Sequence, residues 1–127
     1  MCGITGALWS DPAAAIDLQT LQRMTDAISH RGPDDCHSHV ELDRRDGEGR
    51  SASVALGFRR LSIIDVAGAR QPLSNEDGTL WLVFNGEIYN FRELRRRLEG
   101  AGHRFATDGD GEAILHLYED LGTECFQ

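Results

Sequence analysis

The chain opens MCGITGALW over residues 1–9, with a cysteine directly behind the initiator methionine. A side chain as small as cysteine permits removal of that methionine, so the mature chain can begin at Cys2 and carry a thiol and a free α-amine on one residue. A free α-amine titrates at about 7.7 to 8.0 and a thiol at about 8.5, so such a residue can supply nucleophile and base together. Thiols are also the easier nucleophiles to activate. The plainer reading is a small buried hydrophobe at position 2, a common use of cysteine. Onward from Cys2, the same stretch reads as a strand containing two glycines, closed by a turn at Asp11-Pro12.

Composition narrows the classes. A chain of 127 residues, 40% hydrophobic, is one small domain or a piece of a larger one with enough apolar content for a core. The net charge of −8 argues against a nucleic-acid or anionic-membrane surface. All 13 basic residues are arginines, which excludes Schiff-base lysine chemistry and a Walker-type phosphate loop within this chain. Cys2, Cys36 and Cys125 form an odd set without disulfide-framework spacing, so a reducing cytoplasm is expected. The N-terminus lacks a secretory pattern, and the longest apolar run, LWLVF at 80–84, is far short of a membrane span.

Leu18, Leu21, Met24 and Ile28 recur at helical spacing, and HRGPDD (30–35) cannot continue that helix because of its proline. The polar stretch 43–53 predicts an exposed hairpin loop between two strands, the second being VALGFRRLSIID (54–65). TLWLVF (79–84) predicts another strand, and Asn90 with Glu93 a capping box for a helix bearing Leu94 and Leu98, ended by EGAG. A short strand at HRFAT (103–107) is expected before a last helix, Glu112 to Leu121, with Ile114, Leu117 and Leu121 on its apolar face and Gly122 as its stop. This order suits an α+β fold with mixed strands, not a doubly wound sheet. Gln127 follows the last helix with no further strand to pair with the sheet, so the fold reads as truncated at its C-terminal end.

MCGITG, HRGPDD, RRLSIID, QPLSNEDG and FNGEIYN occur in an order and spacing that resemble the glutaminase domain of class II glutamine amidotransferases, asparagine synthetase and its glutamine-hydrolysing relatives in particular. The resemblance covers essentially the whole chain. It implies an N-terminal nucleophile hydrolase fold, an αββα sandwich, with residues 1–127 an incomplete glutaminase domain. Such a domain hydrolyses L-glutamine and passes ammonia to a C-terminal ATP-dependent synthetase domain. ATP and magnesium belong to that domain, and no cofactor is expected in this chain. The acceptor implied is aspartate, giving asparagine, with another acceptor in a polysaccharide or natural-product pathway as the alternative. A homodimer of the full-length protein is a further expectation. A degraded, non-catalytic interaction module is the competing class, and a self-cleaving N-terminal nucleophile peptidase is disfavoured because only Met1 precedes Cys2.

By motif, the resemblance makes Cys2 the nucleophile that forms a γ-glutamyl thioester, with its α-amine moving the protons. The Asn85 side-chain amide and the Gly86 N–H are the implied oxyanion donors, although Asn-Gly is also a strong turn signal. Arg60 is the implied partner of the substrate carboxylate, Arg59 pointing to the opposite sheet face. Asp110 is the implied partner of the substrate ammonium, and Glu87 a further contact. Relatives have serine before that aspartate and threonine, cysteine or similar after it. Here Gly109 and Gly111 flank Asp110, which puts its aim and the glutamine affinity in doubt. His30 and Arg31 are assigned to loop ordering. Cys36, His37 and His39 crowd too closely for a tetrahedral set, so no metal site is expected.

Overall fold

The computed structural model describes residues 2–45, 51–61 and 70–126, which form two compact units, Met1–Ile64 and Asp65–Gln127. In the first unit, strand β1 (Gly3–Trp9) leads through a 3-10 turn at Pro12–Ala14 to helix α1 (Leu18–Ala27), a second 3-10 turn at Ser29–Arg31, and strands β2 (Asp35–Arg45) and β3 (Ser51–Arg60). The prolyl 3-10 turn starts where the Asp11 carboxylate accepts the Ala13 N–H at 2.9 Å. Asp17 caps α1 by accepting the Thr20 N–H at 2.6 Å. The three strands are antiparallel in the order β1-β3-β2. The predicted strand, helix and hairpin are present, but Arg44 and Arg45 pair with Ala52 and Ser51, so the ladder runs into the stretch expected as loop, 43–53. Residues 46–50 of the expected loop and the SIID part of the expected strand lie outside the described residues.

Strand alternation sends Gly3, Thr5, Ala7 and Trp9 toward α1. The register sets Ala7 and Val40 on either side of Ala55, and this row lies with Trp9, Leu21 and Ile16 in the hydrophobic core. Farther along, α1 comes close enough that a Cβ on Gly57 would lie 2.5 Å from both the Thr25 and Thr5 hydroxyls. Those hydroxyls are 3.2 Å apart, and the Thr25 hydroxyl donates back to the Leu21 carbonyl at 2.8 Å, so the seat is a polar patch within an apolar layer.

In the second unit, strands β4 (Leu73–Ser74) and β5 (Trp81–Leu82) form a short antiparallel pair. The predicted TLWLVF strand is thus reduced to two ladder residues. The intervening turn is organised by Asn75, whose N–H reaches the Leu80 carbonyl at 3.3 Å and whose side-chain oxygen accepts the Leu80 N–H at 2.9 Å. Helix α2 (Phe91–Ala101) ends on left-handed Gly102, φ 111°, with the His103 N–H returning to the Leu98 carbonyl at 3.0 Å. The expected capping box does not form. Asn90 has a turn-like backbone, φ −94° and ψ 15°, away from the extended geometry that aims a capping side chain, and makes no side-chain cap bond.

The strand expected at HRFAT is absent. The Glu112 carboxylate takes the Ala106 and Thr107 N–H groups at 2.7 and 2.8 Å, which are donors that a ladder would need. Helix α3 (Gly111–Leu121) stops at Gly122 as predicted. Its fully buried side, however, carries Glu112, Ala113, Leu115 and His116, while Leu121 of the predicted apolar stripe is 41% exposed. No helix among the described residues is long and apolar enough to cross a membrane.

Gly57→Ala is expected to destabilise the protein by about 1–3 kcal/mol, because the added methyl overpacks the seat of α1. Gly100→Ala in α2, where an added Cβ meets nothing within 4 Å, is expected to stabilise by about 0.5–1 kcal/mol. Urea unfolding midpoints of the two variants measure this, and equal midpoints would contradict the close approach at Gly57.

Candidate active site

In the first unit, Cys2 directly precedes β1 and is half-buried. Gly3 pairs with Arg59, so Cys2 and Arg60 lie at the same end of the β1–β3 ladder. The Leu61 N–H, one residue past β3, donates to the Cys2 Sγ at 3.5 Å. The Arg31 Nε donates to the Cys2 carbonyl oxygen at 3.3 Å.

The HRGPDD loop can lie this close because of Gly32. A Cβ there would sit 2.5 Å from the Arg59 carbonyl carbon and 2.7 Å from that of Arg60. The Asp34 N–H then donates to the Arg60 carbonyl at 3.1 Å. The loop thus borders both Cys2 and the end of β3. His30 lies in the same 3-10 turn.

Alternation divides the arginine pair as expected. Arg59 faces α1, where its Nε donates to the Thr25 carbonyl at 3.1 Å and its guanidinium pairs with Asp26. Arg60, half-buried, is the last residue of β3 and pairs in register with Asp35. The CHSH segment is likewise divided by alternation. His37 bonds Asp35 at 2.9 Å and His39 lies 3.9 Å from Glu41, whereas Cys36 takes a contact from the Gln22 side chain at 3.8 Å.

In the second unit, Asn85, Gly86 and Glu87 form an exposed loop between β5 and α2. Its entrance is clamped by Gln71, which donates to the Phe84 carbonyl at 2.9 Å and accepts the Phe84 N–H through its side-chain oxygen. Its exit is held by Asp110, whose Oδ2 accepts the Ile88 N–H at 2.7 Å. Asp110 is therefore anchored despite its flanking glycines. Gly111 answers a packing need, since a Cβ there would lie 3.2 Å from the Leu73 Cδ1. At Gly86 a Cβ would lie 2.9 Å from the Phe84 ring, so this turn admits only glycine without rearrangement.

The structure thus brings Cys2 and Arg60 together in one unit, and Asn85–Glu87 and Asp110 together in the other. Gln71 had no role in the sequence reading. Its position in QPLSNEDG was visible, but nothing local reveals a side chain that bonds backbone 13 residues away.

A family profile described as a glutamine amidotransferase domain matches residues 1–127. Asparagine synthetase [glutamine-hydrolyzing] 1 of Bacillus subtilis is 46% identical over 126 residues, covering 98% of this chain and 18% of that protein. Asparagine synthetase [glutamine-hydrolyzing] 2 of the same organism is 41% identical over 124 residues, 96% of this chain and 15% of the relative. Asparagine synthetase [glutamine-hydrolyzing] 1 of Arabidopsis thaliana is 40% identical over 125 residues, 98% and 19% of the two chains. The chain belongs to the glutamine amidotransferase domain family and spans less than a fifth of the length of these curated relatives.

Gln71→Ala should release the entrance of the 85–87 loop. Two hydrogen bonds of about 0.5–1.5 kcal/mol each are lost, so local opening at Phe84 should rise by roughly 5- to 150-fold. Hydrogen exchange at the Phe84 amide reads this, and an unchanged rate would show that other contacts hold the strand.

Proposed function

We propose that this chain hydrolyses glutamine through a Cys2 thioester and supplies the ammonia to an ATP-dependent amide synthetase domain, with asparagine formed from aspartate. The observation that carries the reading is the Leu61 N–H directed at the Cys2 sulfur, with Arg60 at the same end of the ladder. Membership of the amidotransferase domain family and the names of the relatives support the reaction class and the acceptor. An acceptor from a polysaccharide or natural-product pathway is the alternative, since acceptor choice belongs to the synthetase domain.

In this mechanism the α-amine of a chain beginning at Cys2 takes the thiol proton, and the thiolate attacks the glutamine side-chain carbonyl carbon. The tetrahedral oxyanion receives hydrogen bonds from the Asn85 amide and the Gly86 N–H, donors of a kind worth about 2.7–4 kcal/mol in acyl transfer. The carbon–nitrogen bond breaks as the protonated amine returns its proton to the departing ammonia. Water then hydrolyses the thioester to glutamate and restores the thiol. The family motifs assign Arg60 to the substrate carboxylate, Asp110 to its ammonium and Glu87 to a further contact. ATP and magnesium act in the synthetase domain, the pair of domains working in the cytoplasm as a homodimer.

The αββα sandwich belongs to the same proposal. The sheet face opposite α1 carries Ile4 and Leu8, 44% and 75% exposed, apolar groups that a second sheet layer would cover.

The full-length protein tests the terminal amine. A tag that a protease removes to expose Cys2 should give active glutaminase, while one leaving Gly-Cys should reduce turnover about 10²- to 10⁴-fold, with synthesis from free ammonia retained. Equal glutamine turnover from both would refute the N-terminal nucleophile. Arg60→Ala should raise the glutamine KM about 10- to 150-fold, matching a charge-assisted pair of about 1.5–3 kcal/mol, and Arg60→Lys should recover only part. Unchanged kinetics in both would assign the substrate carboxylate to another cation.

A further inference from the structure

Four side chains of the second unit converge at a place that glutamine hydrolysis does not use. Glu76 in the turn after β4, His103 after α2, and His116 and Glu119 on α3 each bring one ligand-capable atom within 4.8 Å of the others. The His116 Nδ1 is 2.7 Å from the Glu119 Oε2 and 3.6 Å from the Glu76 Oε2, and the His103 Nδ1 is 3.4 Å from the same Glu119 oxygen. The two longer separations are poor hydrogen bonds. They are close to the edge of a tetrahedron around zinc, about 3.3–3.4 Å for bonds of about 2.0–2.1 Å.

The outer atoms make an independent case. Each ligand has a second polar atom turned away from the centre, and each of these faces a partner. The Glu76 Oε1 accepts the Arg104 N–H at 2.9 Å. The Glu119 Oε1 accepts from the buried Asn75 amide at 2.7 Å. The His103 Nε2 bonds Asp120 at 3.1 Å. The His116 Nε2 faces the Glu112 Oε1 at 3.7 Å without a hydrogen bond, in a side chain that is fully buried. Glu112 is itself held by the Ala106 and Thr107 N–H groups and the Thr107 hydroxyl. The carboxylate bonded behind His103 is the kind of outer shell that fixes tautomer and ring orientation in metal-binding histidines.

We propose that Glu76, His103, His116 and Glu119 form a structural site for a first-row divalent cation of the zinc class. Two imidazoles and two carboxylates are a borderline donor set suited to such ions, and four protein ligands make a closed site without an open catalytic position. The ion would bond all four inner atoms at once. It would tie the β4–β5 turn and the segment after α2 to α3, the helix that begins beside Asp110. The sequence reading weighed only Cys36–His39 for metal. The four ligands escaped it because they are spread from position 76 to 119 and only the His116/Glu119 pair has a helical spacing.

Zinc titration of the chelator-stripped full-length protein, followed by calorimetry, tests the site with cobalt(II) absorption as a second reading. One zinc per chain is expected, with a cobalt spectrum of tetrahedral nitrogen and oxygen ligation and no thiolate charge-transfer band. His103→Gln and Glu119→Gln should each weaken zinc binding at least tenfold, Asp120→Asn roughly 10- to 100-fold, and Cys36→Ser not at all. Circular dichroism identifies variants that fold, and the exposed Asp120→Asn keeps the comparison decisive if a ligand variant does not. No stoichiometric zinc, binding undiminished in the folded variants, or a thiolate band would overturn the proposal.

Discussion

The antiparallel register of β1 against β3, Gly3 opposite Arg59 through Trp9 opposite Ser53, is the constraint on which the first unit depends. A slip of one residue would invert the alternation, turning Ala7 and Trp9 out and Ile4 and Leu8 in, and would remove the Leu61 N–H from the Cys2 sulfur. What holds the register is the fit of α1. Its Thr25 lies against Gly57 and Thr5, which are opposite one another in the ladder. Arg59 adds a second lock, bonded to the Thr25 carbonyl and paired with Asp26 at the end of α1. The helix therefore places the strand, and the strand places Cys2.

The second unit is organised differently. Its two-residue strands supply little ladder, so side chains bonding backbone do the positioning. Gln71 holds Phe84, Asp110 holds Ile88, Glu112 holds Ala106 and Thr107, and Asn75 holds Leu80. Buried or half-buried bonds of this type are costly to leave half-made. The unit should consequently be more sensitive to isosteric changes at polar positions than to conservative changes of its apolar residues.

This difference accounts for what could be read from the sequence. In the first unit, periods of two and of three to four residues carry the information, and β1, α1 and the β2–β3 pair are found where they predict. Alternation also separated Arg59 from Arg60. In the second unit, HRFAT has strand composition, yet the Glu112 carboxylate claims its N–H groups, a long-range competition invisible in a local window. On α3 the stripe of Ile114, Leu117 and Leu121 is real as a pattern, but the buried side follows the polar cluster of Glu112 and His116. Family motifs marked Cys2, Arg60, Asn85, Gly86, Glu87 and Asp110 as candidates. They could not show that Asp110 spends one oxygen on the Ile88 N–H.

The glycines around Asp110 show how a departure from the family pattern can be absorbed. Freedom at Gly111 should loosen the aspartate, but the backbone there is the first turn of α3 and is not free. A Cβ at Gly111 would press on Leu73 and, at 3.5 Å, on the Phe84 Cδ1. The same aromatic ring closes over Gly86 from another side, 2.9 Å from where its Cβ would be. Phe84 therefore packs against both glycines while Gln71 holds its backbone, and so couples the Asn85–Glu87 loop to the start of α3 through one side chain. A larger residue at position 111 would have to displace that ring, which also packs against Gly86. Gly111 and the placement of Phe84 are thus one solution, in which the flexibility expected of glycine is traded for close packing.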